Sequence, residues 1–264
     1  MDIESAIFDD FQSLSEHSDY IKDKVILVVD DHHVNFEIAN EILSTWGAVV
    51  EYAENGKEAI SELNAKDIDL ILMDMQMPIM DGIEATVKIR SLKSDKSKIP
   101  IIAMTAAALP EEREKCLQSG MNDYISKPYN PTILFDIIAS QLDIEKDMVE
   151  SDDAVEVEIN SEVSKLYDLT YLKELSGNNE SFILEMVSSF QNDMPELVNE
   201  MKLSFAEKEL KKLGNAAHKT KSMASYLGTI QIREHIVNIE NILDSNKDTE
   251  SIDIELERVD TLLK

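Results

Sequence analysis

Apolar positions fall into two textures along this chain. From Val25 to about Leu142, short apolar runs alternate with stretches whose apolar residues recur every three or four positions. Val25–Val29 is apolar throughout, as expected of a strand covered on both faces. Ala48–Ala53, Ile68–Asp74, Ile99–Met104 and Asp123–Ser126 read as four further strands. Helical patterns separate and follow them: one through Ile38, Ile42, Leu43 and Trp46 that Gly47 stops, one opened by Asn55-Gly56 and running to about Leu63, and others over 82–93, around 110–118 and over 131–142. Strands alternating with helices in this way predict a parallel sheet wrapped by helices on both faces, with its ligand site at the carboxyl ends of the strands.

After Tyr167 the pattern is helical throughout. Phe182, Met186, Val187 and Phe190 form one stripe, which Leu197, Met201 and Phe205 continue beyond Pro195. Leu213, Ala217, Thr220, Ala224 and Leu227 form a second, Ile232, Ile236, Ile239 and Leu243 a third, and Ile254, Leu256, Val259 and Leu262 a last. Long amphipathic helices joined by short loops predict an up-down bundle. Between the two textures, Asp143 to Glu162 holds nine acids and one lysine, which reads as a solvated, self-repelling linker. The expected organisation is an N-terminal arm (1–22), an α/β domain (23–143), an acidic linker (144–166) and an all-α domain (167–264). The arm carries Ile3, Ile7, Phe11 and Leu14 at helical spacing, and reads as a frayed segment or a short helix docking on a neighbour.

Composition narrows the class. The net charge of -28 over 264 residues repels phosphate backbones and anionic surfaces, so direct nucleic-acid binding is not expected. No run approaches the ~20 apolar residues of a membrane span, so membrane insertion is not expected either. The first residues lack a signal-peptide pattern, and the single cysteine, Cys116, suits a reducing compartment; the expected location is cytoplasmic.

Candidate chemistry gathers at the predicted sheet edge. Asp30 and Asp31 close the first strand, Asp74 closes the third, and Thr105 and Lys127 follow the fourth and fifth. Parallel neighbours lie about 4.8 Å apart, so the carboxylates should converge. Three carboxylates repel one another unless a hard cation joins them, and magnesium prefers oxygen ligands. With Thr105 giving a hydroxyl and Lys127 a mobile ammonium, Asp74 is the nucleophile that would take up a phosphoryl group. Singly, each Asp is equally a cap for the helix that follows it.

Val28-Val29-Asp30-Asp31, Asp74-Met75-Gln76-Met77-Pro78-Ile79-Met80-Asp81-Gly82, Ala103-Met104-Thr105-Ala106 and Lys127-Pro128 resemble the receiver domain of response regulators. Met77-Pro78-x-x-Asp81-Gly82 most resembles the receivers of hybrid histidine kinases. The resemblance covers about residues 23–143 and implies a five-stranded, doubly wound, flavodoxin-like fold. It also implies Mg2+ on Asp31, Asp74 and the Gln76 backbone carbonyl, with Asp30 supporting the ion. Thr105 and Tyr124 would be the pair that reorients on phosphorylation.

The second candidate is His218. It is out of phase with the apolar stripe of its helix, beside Lys211, Lys221, Ser222 and Ser225, and is expected to face solvent. Lys221, three residues on, could pair with a phosphate on the ring, and Ser222 is small enough to let a partner approach. Lys211, Lys212, Lys219 and Lys221 form a basic patch toward which an acidic rim would be steered. Ala217-His218-x-x-Lys221, Leu227-Gly228 and Ile239-Glu240 resemble a histidine phosphotransfer domain over residues 167–264. Thr220 and Ser222 depart from it, where the family favours leucine and glycine.

Together these features predict a phosphorelay protein. Asp74 would accept a phosphoryl group from a histidine kinase and exchange it with His218, on this chain or with other receiver or phosphotransfer domains. The alternative is a binding module that phosphorylation switches, its bundle a scaffold or phosphate sink. Gln76 argues against a dehalogenase-like phosphatase, which carries an Asp two residues after its nucleophile. No ATP-binding motif is visible in the sequence, so whether to call the chain an enzyme stays open.

Overall fold

A computed structural model describes residues 21–105, 110–142, 144, 167–176, 179–244 and 250–263. The expected arm and acidic linker lie almost wholly outside the described residues. The first domain is a five-stranded parallel sheet of β1 (Val25–Val29), β2 (Val49–Ala53), β3 (Leu70–Asp74), β4 (Ile101–Thr105) and β5 (Asp123–Ser126), in the order β2-β1-β3-β4-β5. Five helices intervene or follow: α1 (His33–Thr45), α2 (Gly56–Ala65), α3 (Gly82–Arg90), α4 (Pro110–Ser119) and α5 (Pro131–Gln141).

The all-apolar runs explain the sheet. Along β1, Ile26 and Val28 pack toward α1 and α5, while Leu27 and Val29 pack toward α2, α3 and α4; β3 and β4 divide in the same way. Both faces of the three central strands are therefore dry, as a parallel sheet requires, while the edge strands β2 and β5 are only partly covered. Helix starts follow local chemistry. Asn55 accepts from the backbone N–H of Lys57 and Glu58, Asp81 from that of Glu84, and Asn130 from that of Ile133 with Pro131 inside the first turn.

The second domain contains α6 (Thr170–Leu175), α7 (Glu180–Ala206), α8 (Leu210–Tyr226), α9 (Ile230–Asp244) and α10 (Glu250–Leu262). Helices α7 to α10 pack in a ring, each against the next and α10 back against α7. Pro195 lies inside the unbroken α7, in keeping with a stripe that crosses it.

The bundle and the sheet do not stand apart. The apolar core on the α1–α5 side of the sheet runs on into α6 to α10 as one cluster. Tyr171 Oη donates to the Tyr129 carbonyl at 2.6 Å, and Tyr226 packs between the rings of Tyr171 and Tyr129, with centroids 5.9 and 6.4 Å away. At the edge of this seam Asn179 Nδ2 donates to Glu41 Oε1 at 3.3 Å. Among the described residues no helix is long and apolar enough to cross a membrane.

Candidate functional site

The strand order changes direction between β1 and β3, and there the sheet opens its crevice. Asp30 and Asp31 follow β1 and Asp74 ends β3; in the pairing register Val29 lies opposite Met73. One oxygen from each of these three carboxylates falls within 4.8 Å of the other two. The convergence expected from strand spacing is therefore present.

Asp30 does two jobs. Its Oδ1 accepts from the His32 backbone N–H at 3.0 Å and from Asn35 Nδ2 at 2.9 Å, which ties the loop after β1 to α1 without capping the helix, whose N-cap His32 has no side-chain cap hydrogen bond. Its Oδ2 meets Lys127 Nζ at 2.5 Å, and the same ammonium lies 3.2 Å from Asp74 Oδ2. Lys127 is thus not the mobile cation expected from sequence: its side chain is buried and held between two carboxylates. Burial alone would lower its pKa, but Asp30 and Asp74 outweigh burial and hold it above the ordinary lysine value. The Lys127-Pro128 bond is cis.

Asp74 is 1% exposed, and neither of its oxygens accepts a hydrogen bond. Burial pushes its pKa up, Lys127 pulls it down, Asp30 pushes it up again and His218 pulls it down, and the net result is about 6. Thr105 ends β4, buried, with its carbonyl accepting from the Lys127 backbone N–H at 2.7 Å. Tyr124, opposite Ala103 in register, lies under the Arg113 guanidinium at 5.3 Å. Gln76 is exposed in the turn after β3.

His218 is the principal correction. It does not face solvent: it is 6% exposed, in the seam between the two domains. Its helix has two buried faces, the apolar stripe turned into the bundle and a second stripe of His218, Ser222 and Tyr226. That second stripe has i, i+4, i+8 spacing, the one signal by which sequence could have found the docking face. It goes unnoticed when only apolar residues are counted. The ring Nδ1 of His218 lies 3.6 Å from Glu240 Oε1, and its Nε2 is buried without a hydrogen-bond partner, as is Ser222 Oγ. Thr220, fully buried, donates its hydroxyl to the Ala216 carbonyl at 2.8 Å, so the departure from leucine leaves no unsatisfied group.

The lysines divide. Lys221 Nζ sits on Glu240 Oε2 at 2.5 Å, and Lys212 pairs with Glu209 at 2.5 Å. Glu240 is partly desolvated, which raises its pKa, yet the nearby His218 ring and the charge and hydrogen bond of Lys221 leave it below the usual carboxylate value. Lys219 reaches across the seam to Asp31 Oδ2 at 2.6 Å. Of the expected basic patch, then, Lys219 is the member seen meeting the acidic rim, and the rim belongs to the same chain.

Residues 26–139 match the family model described as the response regulator receiver domain, and residues 185–264 match that of the Hpt domain. Over 123 residues the chain is 41% identical to hybrid signal transduction histidine kinase I of Dictyostelium discoideum, covering 44% of this chain and 7% of that protein. The receiver domain of a Pseudomonas aeruginosa sensor histidine kinase, solved with a magnesium ion in its active-site cleft, is 37% identical, covering 46% of this chain and 98% of that one, with a TM-score of 0.43. A co-crystal of the Saccharomyces cerevisiae phosphotransfer protein Ypd1 with the receiver domain of Ssk1 matches at 31% identity, covering 46% of this chain and 89% of that one, with a TM-score of 0.42. The chain spans between 6 and 14% of the length of the first curated relatives it matches.

Proposed function

Since this chain is a response regulator receiver domain followed by an Hpt domain, we propose that it passes a phosphoryl group between Asp74 and His218 as an internal step of a phosphorelay. The supporting observation is a pair of unsatisfied groups in one buried seam. His218 Nε2 and Asp74 Oδ1 lack any partner, Asp74 Oδ2 has only the Lys127 ammonium at 3.2 Å, and His218 is near enough to influence the ionisation of Asp74. Buried polar atoms without partners are costly, and tolerated where a ligand or reaction uses them.

The chain's own groups have distinct parts in this step. With a proton on Nδ1, facing Glu240, the lone pair of His218 is left on Nε2. That nitrogen attacks the phosphorus of the acyl phosphate; the N–P bond forms, the P–O bond to Asp74 breaks, and the carboxylate departs with its electron pair. The reverse transfer uses the same atoms. Lys127 stays charged beside Asp74 and offsets the negative charge that spreads over the phosphoryl oxygens. Glu240, held by Lys221, orients the ring. Thr105 and Tyr124 are the residues we assign to the response of the domain surface.

The three converging carboxylates and the unpartnered Asp74 Oδ1 fit a hard divalent cation. Asp31, Asp74 and the Gln76 carbonyl would hold magnesium, Asp30 would support it, and the ion would neutralise charge on the incoming phosphoryl group. A histidine kinase is the source we propose for that group, with other receiver or phosphotransfer domains as onward partners. The domain limits we propose remain 23–143 and 167–264, joined by 144–166.

The test is phosphotransfer profiling of wild type, Asp74→Asn and His218→Gln with a labelled donor kinase. The expected result is acid-labile, base-stable phosphohistidine in wild type, and loss of onward transfer in both variants. Transfer through His218→Gln to a downstream receiver would rule the relay out and leave the switched binding module.

A further inference from the structure

Lys219 has no part in the transfer step above, yet it is placed where charge matters most. Its ammonium lies 2.6 Å from Asp31 Oδ2, and the Asp31 side chain is only 7% exposed. The three carboxylates of the crevice thus meet two ammonium groups, Lys127 on Asp30 and Asp74, and Lys219 on Asp31. The two differ in freedom. The Lys127 side chain is 1% exposed and held from two sides, whereas that of Lys219 is 26% exposed and comes from the other domain. A divalent cation drawn to the same carboxylates would face two like charges at a few ångströms, and Lys219 is the one that can leave for solvent.

We propose that Lys219 is a clamp that closes the bundle on the receiver by neutralising Asp31, and that a divalent cation in the carboxylate crevice releases it. The inference rests on the proposed function only in taking that crevice as the cation site. In the closed arrangement His218 and Asp74 are both buried, so they can exchange with each other but with no outside protein. Cation loading with release of the clamp exposes both to a kinase or an onward receiver. A phosphoryl group arriving on Asp74 replaces the single carboxylate charge with about two negative charges and draws Lys219 back, closing the seam for transfer. Metal binding and domain docking are then reciprocally linked: each weakens the other.

Magnesium chloride titrations of the full chain at neutral pH, followed by calorimetry and by small-angle scattering, test this without any phosphotransfer readout. The wild type should bind magnesium while its radius of gyration rises. Lys219→Gln should bind about tenfold more tightly, equivalent to ~1.4 kcal/mol, with little further expansion because its clamp is already gone. Lys219→Arg keeps the charge and should resemble wild type. Equal affinities of wild type and Lys219→Gln, a wild type that stays compact at saturating magnesium, or no magnesium binding by either protein would each overturn the clamp. Failure of the relay itself would appear only in the phosphohistidine assay, with these titration curves unaltered.

Discussion

Asp74 sits where its own ionisation is disfavoured. Burial raises its pKa, the attraction of Lys127 only partly offsets this, and the net result is about 6. For an acid whose folded value is raised, the protonated form is the one the fold favours. The contribution to stability is therefore complete below the unfolded value near 3.8 and disappears as the pH rises through about 6. Asp74→Asn should remove this dependence. In the presence of a chelator, wild type should lose thermal stability relative to the variant between about pH 4 and pH 6, and trail it above that by on the order of 1–3 kcal/mol. Thermal denaturation of both proteins across that range measures the difference, and parallel pH profiles would exclude it. The carboxylate cluster was legible in sequence because strand ends and parallel spacing place it. The burial of Asp74 was not, because the surface that covers it comes from residues more than a hundred positions away, and no local pattern encodes that approach.

Among the elements, the strands and most helices follow from local pattern, because each must hide an apolar face that sequence periodicity displays. Helix α8 is different. Its bundle-facing stripe was legible, but the receiver-facing stripe consists of His218, which pattern reading assigns to solvent, together with Ser222 and Tyr226. Amphipathic residues become buried only when a matching surface is supplied, and the sheet domain supplies it through Tyr129 and Asp31. The end of α8 also fixes this geometry. Gly228 has φ +61°, and a Cβ there would lie 2.6 Å from the Asp168 carbonyl oxygen, just before α6. The Asp168 backbone N–H in turn donates to the Leu227 carbonyl at 3.0 Å. Gly228→Ala therefore combines a left-handed backbone with a backbone collision, and should destabilise the protein by about 1–3 kcal/mol. Urea denaturation gives the value; a loss under half a kilocalorie per mole would mean the chain relaxes freely around this turn.

At the scale of the whole molecule, sequence suggested two domains separated by a solvated, self-repelling linker, and the structure shows a core that the two domains share. Residues of α1 and α5 in the receiver and of α6 to α10 in the bundle belong to one apolar cluster. Cooperative unfolding extends as far as such packing does, so the two domains should melt together despite their separate family origins. Tyr226 tests this best, since it is 1% exposed and its ring lies tilted against those of Tyr171 of the bundle and Tyr129 of the receiver. Tyr226→Ala deletes a large side chain from the seam, a change that costs about 3–5 kcal/mol for buried aromatic residues. Without that contact each domain must rely on its own core. Differential scanning calorimetry in chelator, where the Lys219 clamp is closed, should show one transition for wild type and two for the variant. The higher of the two should coincide with the melting of the receiver's own β-sheet core, whose α2–α4 face packs independently of the bundle. A single transition that merely shifts downward in Tyr226→Ala would mean that cooperativity passes by another route, and the tyrosine cluster would lose its place as the joint between the domains.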